Sequence, residues 1–475
     1  MDVIEKIASI FPTVQGPTQK NIGFNRKLKW TLLILFVFFI LSVIPLWGLD
    51  PASQFQFAQL ELILGASFGS LMTLGIGPIV TASIVLQLLN GSGILNINTN
   101  TQEGKKRFQS LQRVLALFFV IFEAFIFVFL GGMAPPAGAT NYAFLQGFLI
   151  FQLCLGGFLI MLMDEVVSKW GFGNGISLFI AAGVSKELIV RTLSPFRQVT
   201  EGIASEGFVG AVPELFRTIF IGETTGAFIA LSGIIATILV FVMVVFTQAM
   251  KVEIPLSFGR VRGHGIRWPL NFFYTSNIPV ILVAALLANF QLWARLLQNW
   301  AESSGGAIVS WFSRVLGTYS GDVPVSGFIQ YITPPNLFQA AITNSITGEM
   351  LFIALVYTIF LALGSMVFSY FWVQTAGLDA RSQAKNIMAS GLQVPGFRKD
   401  PRVMERLLDR YVPPLTWMGG LAVGLLAAIA DLMGALTSGM GLLLAVMIIY
   451  KLYEEVAREQ AYEMNPLMRK FLGKE

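Results

Sequence analysis

The chain has 475 residues, 55% of them hydrophobic and only 12% charged, with a formal net charge of +5. That balance excludes an ordinary soluble domain and marks a polytopic membrane protein, with charges gathered between long apolar runs. A single cysteine, Cys154, and a single histidine, His264, exclude an internal disulfide and leave no ordinary zinc site or Cys–His nucleophile pair. No phosphate-binding glycine loop and no nucleophile elbow occurs, so neither an enzyme nor a cofactor site is expected.

The leader, 1–29, carries Ile4, Ile7, Ile10 and Phe11 at helical spacing. It reads as a short interfacial helix, not a cleavable signal peptide. Ten apolar spans follow: 30–48, 75–89, 113–131, 143–163, 172–190, 225–247, 273–293, 350–372, 414–430 and 435–450. The expected fold is therefore an all-α membrane protein. Its N-terminal half is 30–193, a hinge and outer loop is 194–224, and its C-terminal half is 225–450 with inner loops 250–272 and 373–413. The tail is 451–475. With the N-terminus inside, the inner segments hold 26 of the 32 Lys and Arg residues. Both termini are thus expected in the cytoplasm. Loop 294–347, with Trp300, Trp311 and Phe312, reads as a segment that re-enters the outer membrane face, and carries no assigned role.

Span 2 is too short. Fifteen residues cover about 22 Å of a hydrocarbon core about 30 Å thick. The segment before it, "QFQFAQLELILGASF" at 54–68, places Phe57, Leu60, Leu64 and Phe68 on one helical face, with Glu61 and three glutamines opposite. Either this stub lies on the outer surface or it folds back into the funnel that the short span leaves.

An internal repeat accompanies these breaks. Proline interrupts "GIGPIV" (75–80) in span 2 and "SNIPVI" (276–281) in span 7. "GNGISL" (173–178) opens span 5 and "GMGLLL" (439–444) opens span 10. Five spans per half is odd, so the second half is inverted, and broken segments in matched places point to a pathway between the halves. The residues beside the breaks are aliphatic: Ile76, Val80, Ile176, Ile180, Ile281 and Leu444. An inverted-repeat secondary transporter is the alternative function. It needs polar groups near the midplane, and few exist: Glu123 in span 3, Asp431 at the outer end of span 9. A ribosome receptor without a pore leaves the breaks and the stub without a purpose.

Those motifs, with "KVEIPLSFGR", "GFRKD…RYVPPLT" and "ADLMGALTSGMGLLLAV", closely resemble the SecY family, the channel subunit of the Sec protein translocase, in its archaeal branch. The resemblance covers nearly the whole chain. It implies two inverted five-helix halves around an hourglass pore in the cell membrane (the endoplasmic reticulum in a eukaryote). Secretory polypeptides cross unfolded, and membrane proteins leave through a lateral gate. Ile76, Val80, Ile176, Ile180, Ile281 and Leu444 match the aliphatic pore ring. Residues 54–68, with Phe57, Leu60, Glu61, Leu64 and Phe68, match the plug. Thr81, Glu123 and Asn277 are polar residues of spans 2, 3 and 7, where the family's lateral gate holds a polar cluster. A Thr81–Asn277 bond across the closed seam is expected. Inner loops 6/7 and 8/9 match the ribosome-docking surface, with Arg260, Arg262, Arg398 and Lys399. Implied partners are a SecE-like gamma subunit, a small Sec beta subunit, the ribosome, signal sequences with nascent chains, and membrane lipid.

Overall fold

The structure, a computed structural model, describes residues 12–18, 22–50, 67–95, 97, 101–136, 138–200, 203–258, 265–275, 277–304, 306–321, 323–389, 392–394 and 400–464. Helices occupy each expected span: α1 Phe24–Leu41, α2 Gly77–Gly91, α3 Gln102–Phe129, α4 Tyr142–Trp170 and α5 Gly175–Leu193 in the first half. A hairpin, β1 Arg197–Thr200 with β2 Ile203–Phe208, and α6 Ala211–Ile221 then lead to α7 Thr224–Gln248. Next come β3 Lys251–Phe258, β4 Gly265–Asn271 and α8 Ile278–Ser304. The long loop after α8 folds into α9 Ala307–Leu316, β5 Thr318–Ser320, β6 Val323–Ser326, α10 Phe328–Ile332 and α11 Leu337–Ile342. The chain ends through α12 Gly348–Thr375, α13 Ala380–Ala389, β7 Leu392–Gln393, α14 Pro401–Asp409, α15 Val412–Leu432 and α16 Gly439–Met464.

Among the described residues, six stretches are long and apolar enough to cross a bilayer: Glu103–Phe129, Tyr142–Trp170, Thr224–Gln248, Ile278–Glu302, Gly348–Thr375 and Pro401–Leu432. The fold is mostly helical, but not all-α. Short antiparallel hairpins form in three loops, because backbone outside the helices must still pair its N–H and C=O groups. The connection 194–224, expected as a hinge and loop, contains β1–β2 and α6. Glu214 joins them: its carboxylate accepts the Phe208 N–H at 2.7 Å and two bonds from Arg217. The Arg217 hydrogen bonds hold this carboxyl below its ordinary pKa.

The first span is helical only to Leu41, short of the expected residue 48. Beyond it the chain bends and bonds to the segment before α2. Leu46 N–H donates to the Gly69 carbonyl at 2.8 Å, and Leu71 N–H to the Ile44 carbonyl at 3.0 Å. This is what fills the depth that α2 leaves. Residues 67–76 run as packed turns, with Met72, Thr73 and Leu74 buried. Irregular backbone survives at membrane depth only when protein covers it. Pro78, in the first turn of α2, has no N–H to lose there and sets the start of the helix.

The halves meet along two seams. On one, α2 packs against α3 and touches α8 and α12. On the other, α16 packs against α5 and touches α1. The C-terminal part of α16 is tied to both halves by Lys27–Glu459 and by Lys251–Glu454 at 3.4 Å.

Candidate channel waist and seam

Four helix starts supply the aliphatic set. Ile76 caps α2 and Val80 follows in its first turn; Ile281 lies in the first turn of α8; Ile176 and Ile180 lie on α5, and Leu444 on α16. Five of the six are buried. Ile176 is half-buried and packs against the same apolar cluster that contains the others.

The helix starts are held by a device that no sequence motif revealed. Asp164, near the end of α4, accepts the Ile176 N–H at 3.1 Å. Asp431, near the end of α15, accepts the Met440 N–H at 2.8 Å, and its other oxygen takes the Tyr357 hydroxyl at 2.5 Å. A carboxylate of span 4 thus caps span 5, and one of span 9 caps span 10. Gly175 and Gly439 stand at these starts, each so close to the preceding helix that a Cβ would strike its backbone.

This corrects the register of the repeat. Gly175, not Gly173, is the counterpart of Gly439. Leu444 is then five residues past its glycine, as Ile180 is past Gly175, so the two ring positions correspond. Pattern matching aligned the Gly-x-Gly strings themselves. The contact that needs glycine is the helix–helix approach, and it falls two residues later in the first half. Replacing Asp431 by Ala is expected to destabilise the protein by about 2 kcal/mol or more, through a lost cap and a stranded Tyr357 hydroxyl. Asp431→Asn, which keeps an acceptor, should lose less. Thermal unfolding in detergent measures both, and equal losses would refute the capping role.

The polar seam also differs from expectation. The Thr81 hydroxyl donates to the Gly77 carbonyl at 2.8 Å and lies 3.4 Å from Glu123 Oε1. It accepts the Asn289 side-chain N–H at 3.0 Å. The partner across the seam is therefore Asn289, twelve residues beyond Asn277. Thr81 lies just past the first turn of α2, and its partner lies well inside α8, not at the start of that helix. Asn277 is buried elsewhere, lining a small cavity with Asn174, Ser177, Lys451 and Glu455. An amide inside the apolar run "VAALLANFQLW" was the available signal for Asn289.

Of the stub, Phe57, Leu60, Glu61 and Leu64 lie outside the described residues. Phe68 is buried, its ring 6.0 Å from that of Phe127 on α3.

Comparison with known proteins bears on this geometry directly. The family model described as SecY matches residues 70–453, and that described as the plug domain of Sec61p matches residues 36–69. The chain belongs to the SecY family. Protein translocase subunit SecY of Pyrococcus furiosus is 40% identical over 99% of both chains. That of Methanothermobacter thermautotrophicus is 42% identical over 99% of this chain and 98% of its own. The solved "structure of a protein conducting channel" matches with TM-score 0.81 and 37% identity, covering 98% of this chain and 99% of that one. Sec61 in the canine ribosome-channel complex from the endoplasmic reticulum matches with TM-score 0.78 and 37% identity over 98% and 99% of the two chains.

In this SecY-family chain the two basic loops form one body. Strand β7 of loop 8/9 pairs with β3 of loop 6/7, Ser257 opposite Gln393 and Phe258 opposite Leu392. Ile254, Leu256, Ile387, Leu392, Met404 and Leu408 share one apolar cluster beneath. Arg260, Arg262, Arg398 and Lys399 lie outside the described residues, as does His264. Arg402, Arg406 and Arg410 follow at four-residue spacing and are exposed. No sequence pattern announced the β3–β7 pairing, because β7 is only two residues long.

Proposed function

We propose that this chain is the pore-forming subunit of a protein-conducting channel, which passes unfolded secretory polypeptides across the membrane and releases apolar segments sideways into lipid. The observation that carries this reading is the gathering of six aliphatic side chains from four helix starts into one apolar cluster. Such a waist binds no polar solute, yet it closes around a chain and excludes water. Ten helices cross the membrane in two inverted halves, with both termini in the cytoplasm. Residues 54–68 act as the plug. The seam of Thr81, Glu123 and Asn289 is the lateral gate. Energy comes from a partner. A SecE-like subunit clamps the halves, and a small beta subunit sits at the periphery.

The transporter reading is weaker. The span carboxylates of Asp164 and Asp431 already serve backbone N–H groups, and Glu123 lies against Thr81. The test is reconstitution in vesicles with both small subunits. A secretory precursor should become protease-protected, and a solute should not be carried uphill. Uphill solute transport without precursor uptake would overturn the assignment.

The joined basic loops are the docking face for a ribosome. Arginine side chains suit its RNA phosphates, and the attraction is salt-dependent. Arg398→Glu and Arg406→Glu should each weaken ribosome binding, and the salt slope should flatten by about one for each arginine–phosphate pair removed. Binding equal to wild type at low and high salt would remove the loops from this role.

A further inference from the structure

Two short helices of the connecting loops are turned the wrong way for water. In α9, Ser313 is 3% exposed and faces the protein, while Ile308 is 74% exposed and Trp311, Phe312 and Val315 stand out with it. Those four follow i, i+3, i+4, i+7, so they form one face. In α6, Thr218 is wholly buried, and Glu214 and Arg217 are spent on each other and on the Phe208 N–H. Phe220 is 86% exposed, with Phe216, Ile219 and Ile221 beside it. A helix facing water buries its apolar stripe and shows its polar one. Both helices do the opposite, and an exposed apolar patch of this size is the informative kind.

We infer that α6 and α9 lie in the membrane interface, with these faces seated among lipid acyl chains. The occupant is lipid because the patches continue the apolar surface of the neighbouring spans. Ile189 and Leu193 at the end of α5, and Phe228 near the start of α7, are exposed beside α6; Trp300 is exposed at the end of α8, just before α9. Trp and Tyr gather at this depth in membrane proteins. A helix of this pattern lies in the interfacial plane, its apolar face sunk below the headgroups. Arg314, the charged residue of α9, flanks the apolar face, where its head reaches the phosphate level. By chain order both loops fall on the side opposite the docking loops. This inference rests on the channel reading for that side. Because α6 belongs to the connection between the halves, its seat in lipid holds that connection at the interface while the halves move.

The test uses spin labels in the complete complex, reconstituted in phospholipid vesicles. In a Cys154→Ser background, cysteines replace Ile308, Phe312 and Val315 on α9, Phe216 and Phe220 on α6, and Phe241 on α7 as the span control. All six are exposed, so labelling disturbs no packing. The expected result is relaxation by oxygen exceeding relaxation by a water-soluble nickel chelate several-fold at every position. A nickel effect larger than the oxygen effect on α6 and α9, with the control still lipid-exposed, overturns the inference and leaves the channel reading standing. Low access to both reagents means that protein, a partner or a second copy, covers the faces, and also overturns it. A water-accessible control overturns the membrane topology and the inference together.

Discussion

Leu444→Asn raises the ion leak of the idle channel. Leu444 is buried among the aliphatic side chains that start α2, α5, α8 and α16. An amide in that setting finds no ready partner, and burying one unpaired costs about 1–3 kcal/mol. The closed state bears that cost, whereas a hydrated open state does not. The closed-to-open ratio should therefore fall roughly 5- to 150-fold. Ile180→Asn, at the matching place in the other half, should act alike. Ile176→Asn should act less, because Ile176 is only half-buried. Conductance of planar bilayers holding the complex reads the leak directly. A second readout is transport of a precursor with a weakened signal, which the variants should accept more readily. Unchanged conductance in both Leu444→Asn and Ile180→Asn would count against a hydrophobic seal.

Asn289→Ala lowers the signal hydrophobicity needed to open the gate. The Asn289 amide holds α8 to Thr81 of α2 at 3.0 Å, with Glu123 of α3 next to the same hydroxyl. A net hydrogen bond is worth about 1 kcal/mol, so the gate equilibrium should shift about fivefold toward open. Thr81 keeps its bond to the Gly77 carbonyl, so α2 itself stays intact. Asn277→Ala, by contrast, should leave the threshold unchanged, since Asn277 lies away from Thr81. Cysteines at 81 and 289, oxidised in a Cys154→Ser background, should block membrane insertion until reduced. Cysteines at 81 and 277 should not crosslink. Efficient 81–277 crosslinking, or an unaltered threshold in Asn289→Ala, would return the seam to the pairing that sequence suggested.

Much of this protein is written in one dimension. Apolar runs alone marked where the long helices form, because lipid leaves a buried backbone no partner but its own helix. Composition argued against catalysis, and charge bias set the orientation now proposed. Proline and glycine marked where spans 2, 5, 7 and 10 begin, since each constrains the backbone at its own position. The aliphatic set followed from those marks.

What remained was decided between segments. The first helix ends at Leu41, not residue 48, because residues 44–46 bond to the turns before α2. The glycine that matters in span 5 is Gly175, because Asp164 comes there from α4. Asn289 replaces Asn277 at the seam because α2 meets α8 well inside that helix and not at its start. Loops 6/7 and 8/9 became one sheet through a two-residue strand. Sequence determines what each residue tolerates locally: water or lipid, helix or turn. Which partner a tolerant residue finds depends on the approach of chain that is distant in sequence, and only the tertiary structure decides that.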